Sequence, residues 1–526
     1  MVRLYVTLAF KMRVKLQNHK LPHGGWQQSG NLFLAGYGHF DEWPLKASDL
    51  ERVLSECNGP EELKHLMSSM NGCFAFVYKD SHKVIAAVDP CRSIPVFYNE
   101  DSEVISDVIH DSNWDADSEE MLPHIEFVQG QNTLVKGWKQ LQAGHFLWND
   151  STEPLAQVQY FSHLRPLSEG TGESDYTKGF VECVANMRER LVASLNGRLA
   201  VVPLSGGFDS RFILSMLVSA NYPRIKAFTY GRLDGHEAQI AEEVCKQLGV
   251  EWQFIEYSEE LYARFTDQDW DRYLLYAGNA SSVPQEQEYF AIRSMQDQIE
   301  EDSVFLPGFC GDVQAGSFIP DVFFEKRWFR EPMSSSQYIL EKLTRLPNAE
   351  FLEYQSDVHI LEPDFEAFYA EVEEWVLMER ESKYIINGVR CYEHFGFSWM
   401  LPLWDRAFIE FWQKVPMALR RDRKLYLEVL TSLFFKPMKI NVRSRHFDAR
   451  FSSNSWQSWL RYVLPKGVKE QAKKLLIPAN EDEINNLNTF RDLLAANLDM
   501  LVDEEPVNEI VARYYLSRLK LERKGE

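Results

Sequence analysis

The fold is decided by the stretch LAVVPLSGGFDSR, residues 199–211. Its first part, Leu199–Leu204, is short and entirely apolar, which is typical of a strand buried on both faces. Two glycines follow at Gly206 and Gly207, and apolar side chains then recur at helical spacing across Asp209–Ala220. The pattern predicts a buried strand, a tight glycine turn and a helix in direct succession.

The segments on both sides continue this alternation. Residues 177–195 have the period of an amphipathic helix and precede the buried strand. Ile225–Tyr230 predicts a second buried strand, Glu237–Leu248 a helix and Trp252–Tyr257 a third strand. Beyond residue 335 the pattern is mainly helical. Helices that alternate with apolar strands predict an α/β fold, in which a doubly wound parallel sheet carries an α-helical extension.

The first 160 residues have a different pattern, in which short apolar runs are separated by turn residues. Four of the runs predict strands: Leu32–Ala35, Cys73–Tyr78, Lys83–Val88 and Val96–Tyr98. A helix is predicted over Ser48–Cys57, with Ser48 and Glu51 as its capping pair. A polar Gly/Ser segment from about 163 to 175 predicts a linker. We therefore expect an α+β sandwich of sheets over residues 1–162 and a second domain over residues 176–526.

Composition limits the classes of partner. A chain of 526 residues with 45% hydrophobic and 25% charged residues can bury a core for two or three domains. Its net charge of −22 repels polyanions, so neither nucleic acid nor an anionic membrane is expected as the main partner. No apolar run is long enough to predict a membrane span, and the charged N-terminus is unlike a signal peptide. The expected compartment is the cytoplasm, and the seven cysteines, which lack CxxC spacing, indicate buried reduced thiols.

The glycine turn has the features of an anion site. Backbone amides at a helix N-terminus, without side chains at Gly206 and Gly207, can surround a phosphate. Ser205 and Ser210 add hydroxyl donors. Asp209 would repel the same phosphate unless a divalent cation lay between them, so its position implies magnesium. The alternative is a glycine turn that only caps a helix, but the order of strand, glycines, acid and helix favours a nucleotide site.

Five segments of this region resemble the asparagine synthetase family. Residues 205–210 resemble the family's pyrophosphate loop, or PP-loop, with the pattern S-G-G-x-D-S. Residues 228–231, with the helix up to Gly249, are similar to the strand whose edge contacts adenine. Residues 307–312 resemble the motif S-G-x-G-x-D, and residues 401–405 resemble V-P-F-L-D, with KLYL at 424–427 in place of K-x-x-L-R.

The resemblance implies a PP-loop ATP-pyrophosphatase domain that uses ATP and Mg²⁺. It assigns Mg²⁺ to Asp209 and Asp312, with Asp312 also in a catalytic role. It implies a late basic residue that stabilises the leaving pyrophosphate, for which Arg443 and Arg445, ahead of Phe447, are the candidates, with Arg443 preferred. The residues that it assigns to ATP are Leu204, Ser205, Gly206, Gly207, Asp209, Ser210, Tyr230 and Gly308.

The first domain resembles the family's N-terminal-nucleophile glutaminase, of the Ntn fold. Asn71–Phe76 and Asp89–Tyr98 are similar to two of its motifs, and Gln142–Phe146 to its P-A-G-x-x element. That chemistry needs a cysteine as the new N-terminal residue, and residue 2 is Val2. The glutamine-binding N-G-E triplet is replaced by Tyr37-Gly38-His39. We expect a degenerate domain, and ammonia from solution, a substrate amine or a separate donor protein.

The acceptor side of the second domain also departs from asparagine synthetases. Phe309 and Ser398 stand where the family usually has glutamates, and relatives that close β-lactam or lasso-peptide rings are specialised in this region. The resemblance implies a carbon–nitrogen ligase that adenylates a carboxylate, either a small molecule or a glycan uronate, with release of AMP and pyrophosphate. The alternative is a non-catalytic nucleotide-binding or scaffold protein with decayed sites. The sequence leaves a homodimer open.

Overall fold

The structure is a computed structural model of the chain. It describes residues 12–16, 25–40, 43–150, 155–166, 172–232, 235–319, 334–354, 365–440, 487–498 and 506–524. Helices account for half of it and the strands form sheets, one of them parallel, so the predicted α/β class is confirmed. Within these residues, none of the helices is both long and apolar enough to cross a bilayer.

The first part of the chain forms two sheets. Their strands are β1 (Arg13–Lys15), β2 (Gln27–Ser29), β3 (Leu32–Phe40), β4 (Trp43–Pro44), β5 (Met70–Lys79), β6 (Lys83–Val88), β7 (Phe97–Asn99), β8 (Val104–Ser106), β9 (Trp138–Gln140), β10 (His145–Asp150) and β11 (Ala156–Gln159). One sheet has the order β1-β8-β7-β9, and the other β11-β10-β6-β5-β3-β2, with β4 paired to β3. The runs predicted as strands all lie within or beside β3, β5, β6 and β7. The central strands β5 and β6 are almost fully buried and contribute side chains to the hydrophobic core.

The helices of this part are α1 (Ala47–Glu56), α2 (Pro60–Ser68) and α3 (Ala116–Ile125). The predicted capping pair of Ser48 and Glu51 is wrong. Helix α1 begins one residue earlier, behind Lys46, and no side chain caps it. Glu51 instead accepts hydrogen bonds from Ser29 Oγ at 2.9 Å and from the Asn31 amide at 3.0 Å. A tertiary contact with the β2–β3 turn therefore takes the carboxylate that the local pattern assigned to the cap.

The second part forms a five-stranded sheet with the order β14-β13-β12-β15-β16, in which every pairing is parallel. Its strands are β12 (Ala200–Pro203), β13 (Ile225–Gly231), β14 (Glu251–Glu256), β15 (Val304–Phe305) and β16 (Ser398–Trp399). The helices near it are α4 (Glu173–Leu195), α5 (Phe208–Ser219), α6 (His236–Leu248), α7 (Glu259–Phe265), α8 (Gln268–Gly278), α9 (Tyr289–Met295), α10 (Gly311–Gln314) and α11 (Ser335–Tyr338). The predicted strands and helices between residues 177 and 257 agree with these bounds to within a few residues. The predicted parallel sheet is therefore confirmed.

The helical extension is also present. It contains α12 (Phe365–Trp375), α13 (Arg390–His394), α14 (Arg406–Lys414), α15 (Met417–Arg420), α16 (Lys424–Leu430), α17 (Leu487–Asn497) and α18 (Val507–Lys524). Helix α12 continues as a wider π-helical stretch over Val376–Ile385, and α16 continues likewise over Thr431–Phe435. The aromatic residues Trp404 and Trp412 are 3% and 1% exposed and belong to the hydrophobic core.

The start of the predicted linker is buried and bonded rather than solvated. His163 and Arg165 are 1% and 3% exposed. The imidazole Nε2 of His163 lies 2.6 Å from the carbonyl oxygen of Pro90, and Arg165 donates to the carbonyl of Val415 at 3.0 Å. Helix α4 begins at Glu173, within the segment predicted as a linker. The linker is therefore shorter than the Gly/Ser composition indicated. The polar residues His163 and Arg165 belong to the interface between the two parts.

Candidate active site

The predicted nucleotide residues border a single cavity of about 360 Å³. It lies where β12, β13 and β15 reach their carboxyl ends, which is where open parallel sheets bind ligands. The lining residues are Pro203, Leu204, Ser205, Gly206, Gly207, Phe208, Asp209, Ser210, Phe228, Thr229, Tyr230, Glu237, Gln287, Glu288, Pro307, Gly308, Phe309, Asp312 and Arg423. Every described residue that the sequence assigned to ATP or metal is therefore in one place.

The turn between β12 and α5 is held from behind. Arg211 is fully buried and donates to the carbonyls of Gly206 at 2.9 Å and Gly207 at 3.0 Å. Because the carbonyl and N–H of one peptide point in opposite directions, the Phe208 N–H is turned away from Arg211. The first N–H groups of a helix have no partner within the helix. The buried arginine thus fixes the turn, in which the Ser205 and Gly207 amides donate to the hydroxyls of Ser210 and Ser205. The first N–H groups of α5 remain to receive an anion.

Asp209 occupies the first turn of α5 and is 8% exposed. Its Oδ1 accepts a hydrogen bond from the Tyr426 hydroxyl at 2.7 Å, and its Oδ2 accepts one from the Asp312 amide at 2.8 Å. These contacts join the end of β12 to the loop after β15 and to helix α16. The carboxylate is therefore fixed in position before any ligand arrives.

Asp209 has an unusual acidity. Burial and the neighbouring Asp312 carboxylate together raise the pKa of this carboxyl to about 7, against opposing hydrogen bonds from Tyr426 and the Asp312 amide. Two carboxylates held close together in a buried cavity are stabilised by a cation. The pair is thus suited to a divalent cation.

The loop after β15 approaches α5 so closely that side chains do not fit. A Cβ on Gly308 would lie 2.7 Å from the Ser210 amide nitrogen, and a Cβ on Gly311 would lie 2.5 Å from a methyl carbon of Leu403. Between them Cys310 has a left-handed φ of 67°, a conformation that favours glycine. Its Sγ donates to Glu381 at 2.7 Å. Cys310 stands at the second glycine of the S-G-x-G-x-D pattern and keeps that glycine's conformation.

The structure adds residues that the sequence did not single out. Arg423 is 6% exposed and its Nη1 lies 3.7 Å from Asp312 Oδ2. Arg423 directly precedes the KLYL segment, and this position next to a family motif could have identified it from the sequence. Glu237, Gln287 and Glu288 also line the cavity. Gln287 and Glu288 belong to the run QEQE at residues 285–288. This run is unusually polar for a segment this deep in the domain, and it could have indicated both residues from the sequence.

Arg443 and Arg445, the candidates for the late basic residue, lie outside the residues that the structure describes. Among the described residues, no group of three or more His, Cys, Asp or Glu side chains could hold a metal on its own. Mg²⁺ commonly binds to one or two carboxylates together with substrate phosphates and water. Asp209 and Asp312 fit this way of binding Mg²⁺ together with substrate phosphates and water.

The first domain has little room at the predicted glutamine-binding position. The cavity that borders Tyr37, His39, Asn71 and Gly72 has a volume of about 40 Å³, against roughly 300 Å³ or more for typical ligand pockets. The Tyr37 hydroxyl also donates a hydrogen bond to Cys73 Sγ at 3.5 Å and accepts one from the Leu401 amide at 2.8 Å. All seven cysteines are buried and free, as predicted. Val2 lies outside the described residues.

Comparison with known proteins identifies the second part of the chain. A family model described as asparagine synthase matches residues 186–499, more than half of the chain and including the cavity. A search of curated proteins with the sequence finds no match. The chain therefore belongs to the asparagine synthase family, a family of ATP-using, amide-forming ligases.

Proposed function

We propose that this protein joins a carboxylate to a nitrogen nucleophile at the expense of ATP, through an acyl-adenylate. The observation that supports the proposal is the meeting of Asp209, Asp312 and the amides of the Ser205–Ser210 turn around one cavity. A cavity of about 360 Å³ is within the range that binds small molecules.

The first half-reaction forms the adenylate. An oxygen of the substrate carboxylate forms a bond to the α-phosphorus of ATP, and the bond from that phosphorus to the bridging oxygen breaks. The electron pair leaves with pyrophosphate. The amides of the turn and the buried guanidinium of Arg423 are placed to stabilise the developing negative charge. Because the turn is fixed by Arg211, this stabilisation requires no rearrangement.

The second half-reaction forms the amide. A nitrogen lone pair attacks the acyl carbon, the bond to the AMP oxygen breaks, and the nitrogen gives up one proton. Adenylation is needed because a free carboxylate is a poor electrophile, whereas AMP is a good leaving group. Phe309 lines the cavity where asparagine synthetases usually have glutamate, so we propose an acceptor other than aspartate.

We propose that Asp209 and Asp312 hold Mg²⁺ together with the triphosphate. When bound, the ion neutralises charge on the phosphate oxygens and on both carboxylates. Tyr426 and the Asp312 amide each occupy one lone pair of the Asp209 oxygens, and another lone pair on each oxygen remains for the ion. The two hydrogen bonds orient the Asp209 carboxylate toward Asp312.

The proposed nitrogen source is ammonia from solution, an amine of the substrate or a separate donor protein. The narrow cavity beside Tyr37 and His39 and the burial of every cysteine support it. A reactive thiol needs exposure and a lowered pKa, whereas burial raises the pKa of Cys57 and Cys91.

Exchange of radioactive pyrophosphate into ATP tests the proposal, because only reversible adenylation exchanges it. The assay uses Mg²⁺, ATP and a set of carboxylates that spans amino acids, uronates and short peptides. We expect one class to support exchange that depends on both Mg²⁺ and the carboxylate. If the protein binds ATP without exchange by any carboxylate, the scaffold alternative is preferred.

A further inference from the structure

Arg92 is a buried cation at the junction of the two parts of the chain, and the proposed chemistry does not involve it. It is 3% exposed and lies in the turn between β6 and β7. Its Nε donates to the Leu141 carbonyl at 3.1 Å, and its guanidinium carbon lies 5.6 Å from the centre of the Phe97 ring. Within the described part of the chain, its Nη2 has no hydrogen-bond acceptor. The interior therefore leaves a donor of this guanidinium unsatisfied.

The backbone of the turn keeps this side chain inside the protein. Arg92 has a left-handed φ of 51°, a conformation that favours glycine. A residue with a side chain persists in that region only where the surrounding structure holds it. Here the Asp89 carboxylate holds the turn, since it accepts hydrogen bonds from the amides of Phe74 at 2.9 Å, Cys91 at 2.8 Å and Ser93 at 3.2 Å. The guanidinium is therefore fixed in the interior.

A second buried guanidinium reaches the same turn from the second part of the chain. Arg390, at the start of α13, is 4% exposed and donates to the carbonyl of Ser93, the residue that follows Arg92. Its Nη1 lies 2.6 Å from Glu393 Oε2, and its Nε has no acceptor among the residues that the structure describes. Burial and the charge of Arg390 lower the pKa of Arg92 to about 9, so Arg92 stays charged at neutral pH. Two like charges thus meet at one buried boundary.

The carboxylates around this boundary are engaged elsewhere. Glu379 is paired with Lys383 at 2.6 Å, Glu393 is paired with the second guanidinium, and Asp89 is bound by the amides of its own turn. Of the described carboxylates, none forms an ion pair with Arg92. Glu379 and Asp89 act on Arg92 only at longer range, and they do not offset the effect of burial and of the second guanidinium. A buried charge in such surroundings is stabilised by a partner of opposite sign.

We propose that a small monovalent anion binds beside Arg92, where it accepts the hydrogen bond of Nη2 and reduces the repulsion between Arg92 and Arg390. An anion of the size of chloride fits this position, because Arg92 is almost fully enclosed and a guanidinium presents only donors. The anion stabilises the boundary between the two parts, since each part contributes one of the two cations. Neither arginine lines the cavity that contains Asp209, so the inference does not depend on the proposed ligase activity.

Thermal melting of the whole protein tests the inference when sodium gluconate is replaced stepwise by sodium chloride. The constant ionic strength removes general screening, and gluconate is too large for an enclosed site. The melting temperature should rise by about 2–4 °C and then saturate, because an anion that binds only the folded state stabilises it. Bromide should act like chloride. In crystals grown with bromide, its anomalous scattering should give a peak within hydrogen-bonding distance of Arg92 Nη2.

Two variants connect the effect to this residue. Arg92→Gly removes the guanidinium and suits the left-handed backbone, so the variant should fold and its melting temperature should no longer depend on chloride. Asn196→Gly, at an exposed position with a φ of 49°, relieves the same backbone conformation and should keep the dependence. The inference is wrong if chloride does not stabilise the wild type, if Arg92→Gly keeps the dependence, or if no bromide peak lies beside Arg92, which would leave an ordered water there. If Arg92→Gly does not fold, the wild-type melting curves and the bromide peak decide.

Discussion

Asp209 connects the fold to the proposed chemistry at the level of one side chain. We expect Asp209→Asn to lower Mg²⁺-dependent pyrophosphate exchange by about a hundredfold or more, since it removes half of the proposed metal site. The amide keeps the shape of the carboxylate, so Tyr426 retains a partner. The melting temperature should stay within a few degrees because a like-charge contact with Asp312 disappears.

A matched control for this variant is Asp101→Asn, which changes an exposed aspartate in the turn before β8. It should leave exchange and melting temperature unchanged. Near-native exchange by Asp209→Asn would show that Asp209 does not bind the metal.

Glu286 makes a prediction about stability rather than catalysis. It is 1% exposed, no other described residue donates to its carboxylate oxygens, and burial, reinforced by Glu126, raises its pKa to about 7. A group whose pKa is raised on folding stabilises the folded state below its unfolded pKa, near 4.3, and that stability is lost as the pH rises through 7. Glu286→Gln removes this loss.

The measurement compares Glu286→Gln with the wild type in denaturant at pH 5 and pH 8. The free energy of unfolding of the variant relative to the wild type should rise by about 2–3 kcal/mol between the two values. Glu301→Gln, at an exposed position, should show no such rise. A difference independent of pH would mean that Glu286 titrates normally.

At the scale of elements, the loop after β15 and the start of α5 must touch for the cavity to form. Gly308→Ala places a Cβ 2.7 Å from the Ser210 amide nitrogen, so one element must shift. We expect a loss of about 1–3 kcal/mol in stability and weaker binding of an ATP analogue, measured by thermal melting and calorimetry. Gly59→Ala, where a Cβ meets nothing within 4 Å, should leave nucleotide binding unchanged. Equal binding in both variants would contradict the close approach.

Elements with local signals were predictable from the sequence. The strand, turn and helix across residues 200–219 were predicted because their patterns are local. A continuous apolar run indicates burial on both faces, and a 3.6-residue period indicates a helix, and both can be recognised within a few adjacent residues. Gly308 and Asp312 were placed in the same site through motif resemblance. Glu288 was not, because nothing local shows that Tyr392, about a hundred residues later, would fix it against the cavity. The failed cap of α1 has the same origin, since Ser29 and Asn31 bind Glu51 across the fold.

At the scale of the whole molecule, the two parts of the chain share a bonded interface. Asp405, the aspartate of the V-P-F-L-D-like segment, does not line the cavity that contains Asp209 and Asp312, and it accepts a two-point contact from Arg190 at 2.7 and 2.8 Å. Asn71 of the first part donates to the same carboxylate at 3.1 Å and receives the Arg406 amide at 2.9 Å. Lys383 in turn donates to the Val128 and Gly130 carbonyls. These contacts hold the two parts of the chain together.

The last prediction concerns glutamine. We expect no release of glutamate from glutamine above a buffer blank, with or without Mg²⁺, ATP and the carboxylate probes. The cavity beside Tyr37 and His39 has only about 40 Å³, and all seven cysteines are buried. Ammonium chloride should support amide formation where glutamine does not. Glutamate release that a thiol alkylator abolishes would overturn the prediction, since it would reveal a cysteine that opens to solvent and a first domain that still supplies ammonia.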